Sequence, residues 1–372
     1  MCMLMIASVV PAVGTMNIEN NHENMKCSST STIAWSEDFD SYEAGSLLHG
    51  QGGWEAWDLT TELSPYVSDI QCFSSPNSVE LTWHEGMYWS DVIRMFYGVN
   101  SGQWTITAWW FLPDTFNGVS NFVLHNKYEH GIHEFLQDTS VVIEADDFFG
   151  TIQDRGSGGT LPMIKNKWIE LRFDIDFDSD VYTAYYNGTL LGTAAWTSTG
   201  GKKNLGCIDL CDDGEVSNAT YFDDLTLEGD VSEDSDLYCE GDITINKVEP
   251  GSTVSDTFII ENMGAEGTLL DWEIESYPDD WGQWSFEPNG GTDLESFSPV
   301  AVNVEIVAPD EKNQEFNGEI KIVNSEDSSD YEIISVSLTT PKNKPFNYNQ
   351  NLLNWLFDRF PNAFPILRYL LG

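Results

Sequence analysis

From Trp168 to Phe177 apolar and polar residues alternate without a break. Ile169, Leu171, Phe173, Ile175 and Phe177 fall on one face. Glu170, Arg172, Asp174 and Asp176 fall on the other, the spacing of an antiparallel strand with one wet side. Just downstream, alternating runs over 181–186 and 189–192 flank Asn187-Gly188, the strongest short-range hairpin signal. From Ile33 to Leu227 comparable short runs are broken by turn signals at roughly 8- to 15-residue intervals, the rhythm of an all-β sandwich. Examples are Gly50-Gln51-Gly52-Gly53, Ser75-Pro76-Asn77, Pro113-Asp114 and Gly156-Ser157-Gly158-Gly159. The run at 220–227 closes this unit.

An acidic, small-residue stretch comes next, Glu228-Gly229-Asp230-Val231-Ser232-Glu233-Asp234-Ser235-Asp236, and reads as a linker. Beyond it the pattern predicts strands over 243–248, 254–262, 269–276, 284–288, 300–307, 318–324 and 331–338. Seven short strands in about 100 residues fit an immunoglobulin-like sandwich. The composition then changes after Pro341-Lys342-Asn343-Lys344-Pro345. Two apolar helical pieces, 352–360 and 364–371, are split by Pro361 and Pro365, and carry Arg359 and Arg368 against Asp358. Neither is long enough to span a bilayer or to hold itself folded in water. The expected partition is a signal peptide at 1–14, a disordered leader at 15–32, a jelly roll at 33–228 and an acidic linker at 229–237. An immunoglobulin-like domain at 238–341 and a helical C-terminal tail at 342–372 complete it.

Charge narrows the function. The 372 residues carry 61 acidic against 16 basic side chains, a formal charge of −45. Such a field repels nucleic acid and anionic membranes, so neither is an expected partner. Residues 2–13 form an apolar run followed by Ala12-Val13-Gly14, the h-region and cleavage site of a secretory signal. No Lys or Arg precedes it, so the natural start is expected upstream of Met1, or the chain is cut short. Six cysteines occur, and Cys207 and Cys211 are four apart. On one extended strand their Cα atoms would lie about 13 Å apart, beyond disulfide reach. They read as buried thiols.

Several motifs resemble known families. Glu37-Asp38-Phe39-Asp40-Ser41-Tyr42, Gln51-Gly52-Gly53-Trp54, Ser74-Ser75-Pro76-Asn77-Ser78-Val79, Trp104-Thr105-Ile106-Thr107-Ala108-Trp109, Tyr186-Asn187-Gly188 and Tyr221-Phe222-Asp223-Asp224-Leu225 occur in that order. Together they resemble the concanavalin A-like, laminin-G-like jelly rolls of secreted proteins. Glu249-Pro250-Gly251-Ser252-Thr253 and Leu270-Asp271-Trp272 resemble immunoglobulin-like modules of prokaryotic surface proteins. The stretch Arg359-Phe360-Pro361-Asn362-Ala363-Phe364-Pro365 is similar to tails of archaeal secreted proteins. The first resemblance implies that the first and last jelly-roll strands are neighbours pinned by calcium, with Glu37, Asp38, Asp223 and Asp224 as ligands. Four acids brought together without a cation would be costly.

Enzymatic motifs are weak. Hydrolases on this fold place alternate carboxylates on a Glu-x-Asp-x-x-Glu strand. Here Glu144-Ala145-Asp146-Asp147-Phe148-Phe149 ends in Phe149 where the acid/base is needed. A uronate lyase needs a basic cluster, and Arg155, Lys165 and Lys167 are too few. His125, His130, His133 and Glu134 lack metal-ligand spacing, and the Asp174–Asp180 alternation lacks the glycine and closing glutamate of a calcium loop. Aromatic residues remain. Trp57, Trp83, Tyr88 and Trp89 are the candidate ligand-binding rings, since flat rings stack on pyranose faces. The expected protein is therefore all-β, extracellular or at the cell surface, and non-catalytic. It would bind a polysaccharide or surface glycan, with the tail addressing an envelope sorting partner. The alternatives are a structural surface spacer and a polysaccharide-degrading enzyme.

Overall fold

A computed structural model describes residues 31–82, 89–132, 135–213 and 219–341. The expected signal peptide, leader and C-terminal tail lie outside the described residues, as do Trp83, Tyr88, His133 and Glu134. The described residues form one compact unit containing two β-sandwiches.

The first sandwich packs an eight-stranded antiparallel sheet on a seven-stranded one. Trp168–Asp176 is central in the larger sheet, paired with Gln103–Phe111 on one side and Val181–Tyr186 on the other. Its inward positions Ile169, Leu171, Phe173 and Ile175 are buried and its polar positions are not, as the alternation requires. Asn187 (φ 51°) and Gly188 (φ 68°) form the tight turn into Thr189–Ala194. Both have positive φ, which is what this turn type demands. The last strand, Thr220–Gly229, pairs with the first, Thr32–Glu37, so chain ends of the jelly roll meet as expected. The seven-stranded sheet runs in the order Thr160–Pro162, Thr151–Asp154, Thr139–Asp146, Val119–His125, Cys207–Asp213, Asp91–Met95, Trp54–Ala56. Its inner face contributes Val92, Phe122, Leu124, Val141, Ile143, Ala145, Ile208 and Leu210 to the core.

The second sandwich packs four strands on five. All seven predicted strands are present. Two more have no counterpart in the sequence pattern: Leu237–Glu240, which begins at the end of the acidic stretch, and Gly290–Glu295, which is glycine-rich and weakly alternating. Ile243–Ile245 pairs parallel with Tyr331–Thr339, and Val302, Val304, Ile306, Ile320, Ile322 and Leu338 build a separate core.

The stretch joining the sandwiches is tied down. Ala265 N–H donates to the Ser232 carbonyl at 2.8 Å and Met263 N–H to that of Asp236 at 2.7 Å. Buried Asn262 spends its amide on the same corner. Its oxygen accepts from Asp236 and Gly264 N–H, and its nitrogen donates to Thr268 and Leu294 carbonyls.

The contact between the sandwiches is a real core. Phe297, from the second sandwich, is fully buried and belongs to the hydrophobic cluster of the first, against Phe96 and Trp104. Arg94, from the first sandwich, is 3% exposed. Its guanidinium donates to the Met95 and Phe297 carbonyls and lies over the Trp35 and Phe96 rings at 5.6 and 5.4 Å. Glu261, also fully buried, faces it from the second sandwich. Nothing in the alternation of either segment marks this pair, because an isolated Arg in a strand and a Phe among serines carry no periodic signal.

Candidate functional site

The seven-stranded sheet has a second face, turned away from the core. Strand alternation places Cys207, Asp209 and Cys211 there, between Asn121, Val123 and His125 on one neighbour and Asp91, Ile93 and Met95 on the other. Glu144 is opposite Asn121, and Gln153 is opposite Glu144. Asp91, Cys211, Asn121, Glu144 and Gln153 thus form one row across five strands. At the usual strand spacing of about 4.8 Å such a row is roughly 19 Å long. A face so rich in acceptors and amides is unlike the solvated charge of an ordinary outer face, because most of its side chains are buried or half-buried.

A hydrogen-bonded chain stands at its centre. Thr139 Oγ1 lies 3.1 Å from His125 Nδ1, and His125 Nε2 lies 3.1 Å from Asp209 Oδ2. A carboxylate only accepts, so Nε2 is the donor to Asp209. Asp209 also meets Asp91. Burial first, and then the adjacent Asp209 carboxylate, push Asp91 well above the usual carboxylate range. Burial likewise pushes up the Cys207 and Cys211 thiols, with Asp209 and Asp91 adding to it. Both are free cysteines, as are Cys72 and Cys239. At the far side of the row, Arg155 is ion-paired with Glu144.

One end of the face is closed by an aromatic knot. The 3₁₀ turn Trp57–Leu59 carries positive φ at Asp58 and Leu59. It is locked by Asp58 N–H donating to Tyr128 Oη at 2.8 Å and Gly131 N–H donating to Asp58 Oδ1 at 2.6 Å. Half-buried Trp57 lies 5.6 Å from the His125 ring and 4.9 Å from Tyr128. His130 Nε2 is 3.1 Å from Glu55 Oε2. His125 and His130 are therefore held by separate carboxylates, and the structure does not join them in one site.

Of the other expected ligand-binding rings, Trp83 and Tyr88 lie outside the described residues, and Trp89 is 40% exposed. The four expected calcium ligands are not brought together, and among the described residues no group of three or more His, Cys, Asp or Glu side chains is placed to hold a metal ion. Glu37 turns inward, and its oxygens accept from Phe39 N–H, Tyr42 Oη–H at 2.6 Å and Trp54 Nε1–H. Asp223 accepts from the Phe73, Ser74 and Asp224 N–H groups, and Asp224 accepts from Ser74 Oγ. Asp38 accepts from Asp40 N–H. Glu37 and Asp223 thus each spend both oxygens on protein donors, using lone pairs that a calcium shell would need. Burial raises Asp223 to about 7.

No family model matches this chain, and no curated protein matches it. Solved structures do. The endo-β-1,4-glucuronan lyase of Trichoderma reesei is 9% identical, covering 53% of this chain and 96% of its own, with a TM-score of 0.36. The carbohydrate recognition domain of Emp47p is 9% identical over 54% of this chain and 98% of its own, TM-score 0.36. The carbohydrate-binding module CBM66 of Bacillus subtilis is 12% identical over 48% and 96%, TM-score 0.31. These are β-sandwich folds of the lectin, binding-module and lyase kind. Likeness at this level carries no argument about ligand or chemistry.

Proposed function

We propose that this protein is an exported, non-catalytic binder of a neutral glycan, held on the outer face of the seven-stranded sheet. The observation that carries the reading is the polar row Asp91, Cys211, Asn121, Glu144 and Gln153, on the same face as His125, against which the Trp57 ring packs. Carboxylates and amides suit hydroxyl groups, which need both acceptors and donors, and an aromatic ring suits the apolar face of a sugar. The same carboxylates disfavour a uronate polymer. Glu55, Asp91, Glu144 and Asp209 line this face, and the Arg155 guanidinium is already spent on Glu144. The carboxyl geometry also supports binding over hydrolysis. Retaining and inverting hydrolases hold two carboxyls roughly 5 to 9.5 Å apart, on either side of the scissile bond. Asp91 and Asp209 are in contact, which leaves no room for a sugar between them. Among the described residues no helix is long and apolar enough to cross a membrane.

The test is affinity electrophoresis of the full chain through gels containing neutral polysaccharides or polyuronates, repeated with Trp57→Ala and Asn121→Ala. Retardation by a neutral polymer, weakened in both variants, is expected. Retardation only by polyuronates, or by nothing, refutes the reading. New reducing ends or unsaturated sugar products would refute its non-catalytic part. A structural spacer is the second reading, favoured by the shared core around Phe297, which fixes one sandwich on the other.

A further inference from the structure

The second sandwich carries half-buried aromatic rings at the margin of its core. Tyr277, Trp281, Trp284, Phe286 and Phe316 meet where the edge strand Gln283–Glu287 of one sheet approaches Glu315–Asn324 of the other. The rings touch in sequence: Trp281–Trp284 at 5.0 Å, Trp281–Phe316 at 5.4 Å, Tyr277–Phe286 at 5.2 Å and Trp284–Phe286 at 6.2 Å, nearly parallel. Tyr277 is 40% exposed and the other four are half-buried. Pro278 anchors the loop, lying so close over Gly318 that a Cβ there would sit 2.3 Å from its ring. A contiguous half-wet aromatic surface of this kind is a docking surface.

The chain itself leads to it. Phe316 is paired with Leu338. Thr340 N–H donates to the Gln314 carbonyl at 3.0 Å, and Asn313 N–H to that of Pro341. The described chain therefore ends within a few residues of the aromatic cluster. The sequence beyond that point holds the most apolar stretch of its second half, with Leu352, Leu353, Trp355, Leu356, Phe357 and Phe360 in its first piece. It is also basic: Lys342, Lys344, Arg359 and Arg368 stand against Asp358 alone. The rim of the cluster is acidic, with Asp279, Asp280, Glu287 and Glu315 all exposed. The nine residues 342–350 reach about 30 Å when extended, ample for the distance.

We propose that residues 351–372 fold back onto this cluster of their own chain. Their apolar side chains cover Tyr277, Trp281, Trp284 and Phe316, and Arg359 and Arg368 lie toward the acidic rim. The tail is then a cap on the open edge of the second sandwich rather than an address for an envelope sorting partner. Short apolar pieces that cannot stay folded alone gain order by such docking, and the short tether keeps the closure cost low.

Hydrogen–deuterium exchange on the full chain tests this, beside a chain ending at Pro341, each at working concentration and after dilution. In the full chain, peptides within 351–371 should exchange about tenfold slower than an unstructured peptide, at both concentrations. Removing the tail should speed exchange in 277–287 and 314–318 by a similar factor. If the shortened chain does not fold, full-length Arg359→Glu/Arg368→Glu serves instead and should reduce the tail's protection. An unprotected tail, or unchanged exchange at 277–287 in a folded shortened chain, overturns the proposal. Protection that disappears on dilution as a dimer mass gives way to a monomer also overturns it, assigning the tail to a second copy.

Discussion

Replacing Phe297 by Ala should destabilise both sandwiches together. The residue belongs to the second sandwich by sequence, yet its ring lies in the core of the first, fully buried against Phe96 and Trp104. Removing a buried Phe ring costs about 3 to 5 kcal/mol where the site cannot collapse. Collapse is restricted here, because the Phe297 carbonyl is held by buried Arg94 and its neighbour Asn262 is locked by its own hydrogen bonds. For a cooperative unit of roughly 300 residues the unfolding entropy is about 0.6 kcal/mol/K, so the melting temperature should fall by about 5 to 8 °C. Phe297 also has φ 52°. Gly adopts that conformation without the Cβ penalty, so Phe297→Gly should be no worse than Phe297→Ala although it removes one more carbon. Scanning calorimetry, with near-ultraviolet circular dichroism following the tryptophans, reads both variants. The expected result is one transition, shifted as a whole. A jelly-roll transition left in place while a second, smaller transition moves would refute the shared core.

Named contacts set three further outcomes. Burial raises the Glu261 carboxyl to about 8, with Arg94 opposing and Glu240 adding to the shift. A raised folded-state value means its stabilising contribution is full below about pH 4.5 and is lost as pH climbs toward 8. Urea unfolding at pH 5, 7 and 9 should therefore show wild type losing stability relative to Glu261→Gln, and parallel profiles would contradict it. Trp89→Ala should move the melting temperature by no more than about 2 °C, since a ring 40% exposed gives up little core contact; unfolding of the variant would make Trp89 a core residue. Chelation with EDTA should leave the melting temperature unchanged, because Glu37 and Asp223 already spend their oxygens on protein donors; a clear fall would restore calcium to the strand junction.

Period-two alternation made Trp168–Asp176 legible to its last inward residue, and Asn187-Gly188 gave the hairpin beside it. The seven strands of the second sandwich were legible for the same reason. These are local properties: a side chain's face is set by the pleat, and a turn by the φ its residues tolerate. Gly290–Glu295 escaped because glycine and threonine leave no alternation to read.

The outer face of the seven-stranded sheet was not legible. Asp91, Asn121, Glu144 and Asp209 come from four strands, and each alone looks like a solvated residue. Only strand pairing puts them on one face, and only there does burial push Asp91 well above the usual carboxylate range. The calcium expectation shows the converse. Sequence correctly placed Glu37 and Asp223 on neighbouring strands, but whether two acids share a cation depends on where their side chains turn, and each turned to its own N–H or O–H donors. The pattern of hydrophobic and polar residues determined an all-β chain of two units, most strands of the second, and an acidic composition. Tertiary structure decided that Phe297 of the second sandwich packs into the core of the first and that a polar row crosses the outer face, because contacts between residues far apart in sequence arise from packing, which no local periodicity encodes.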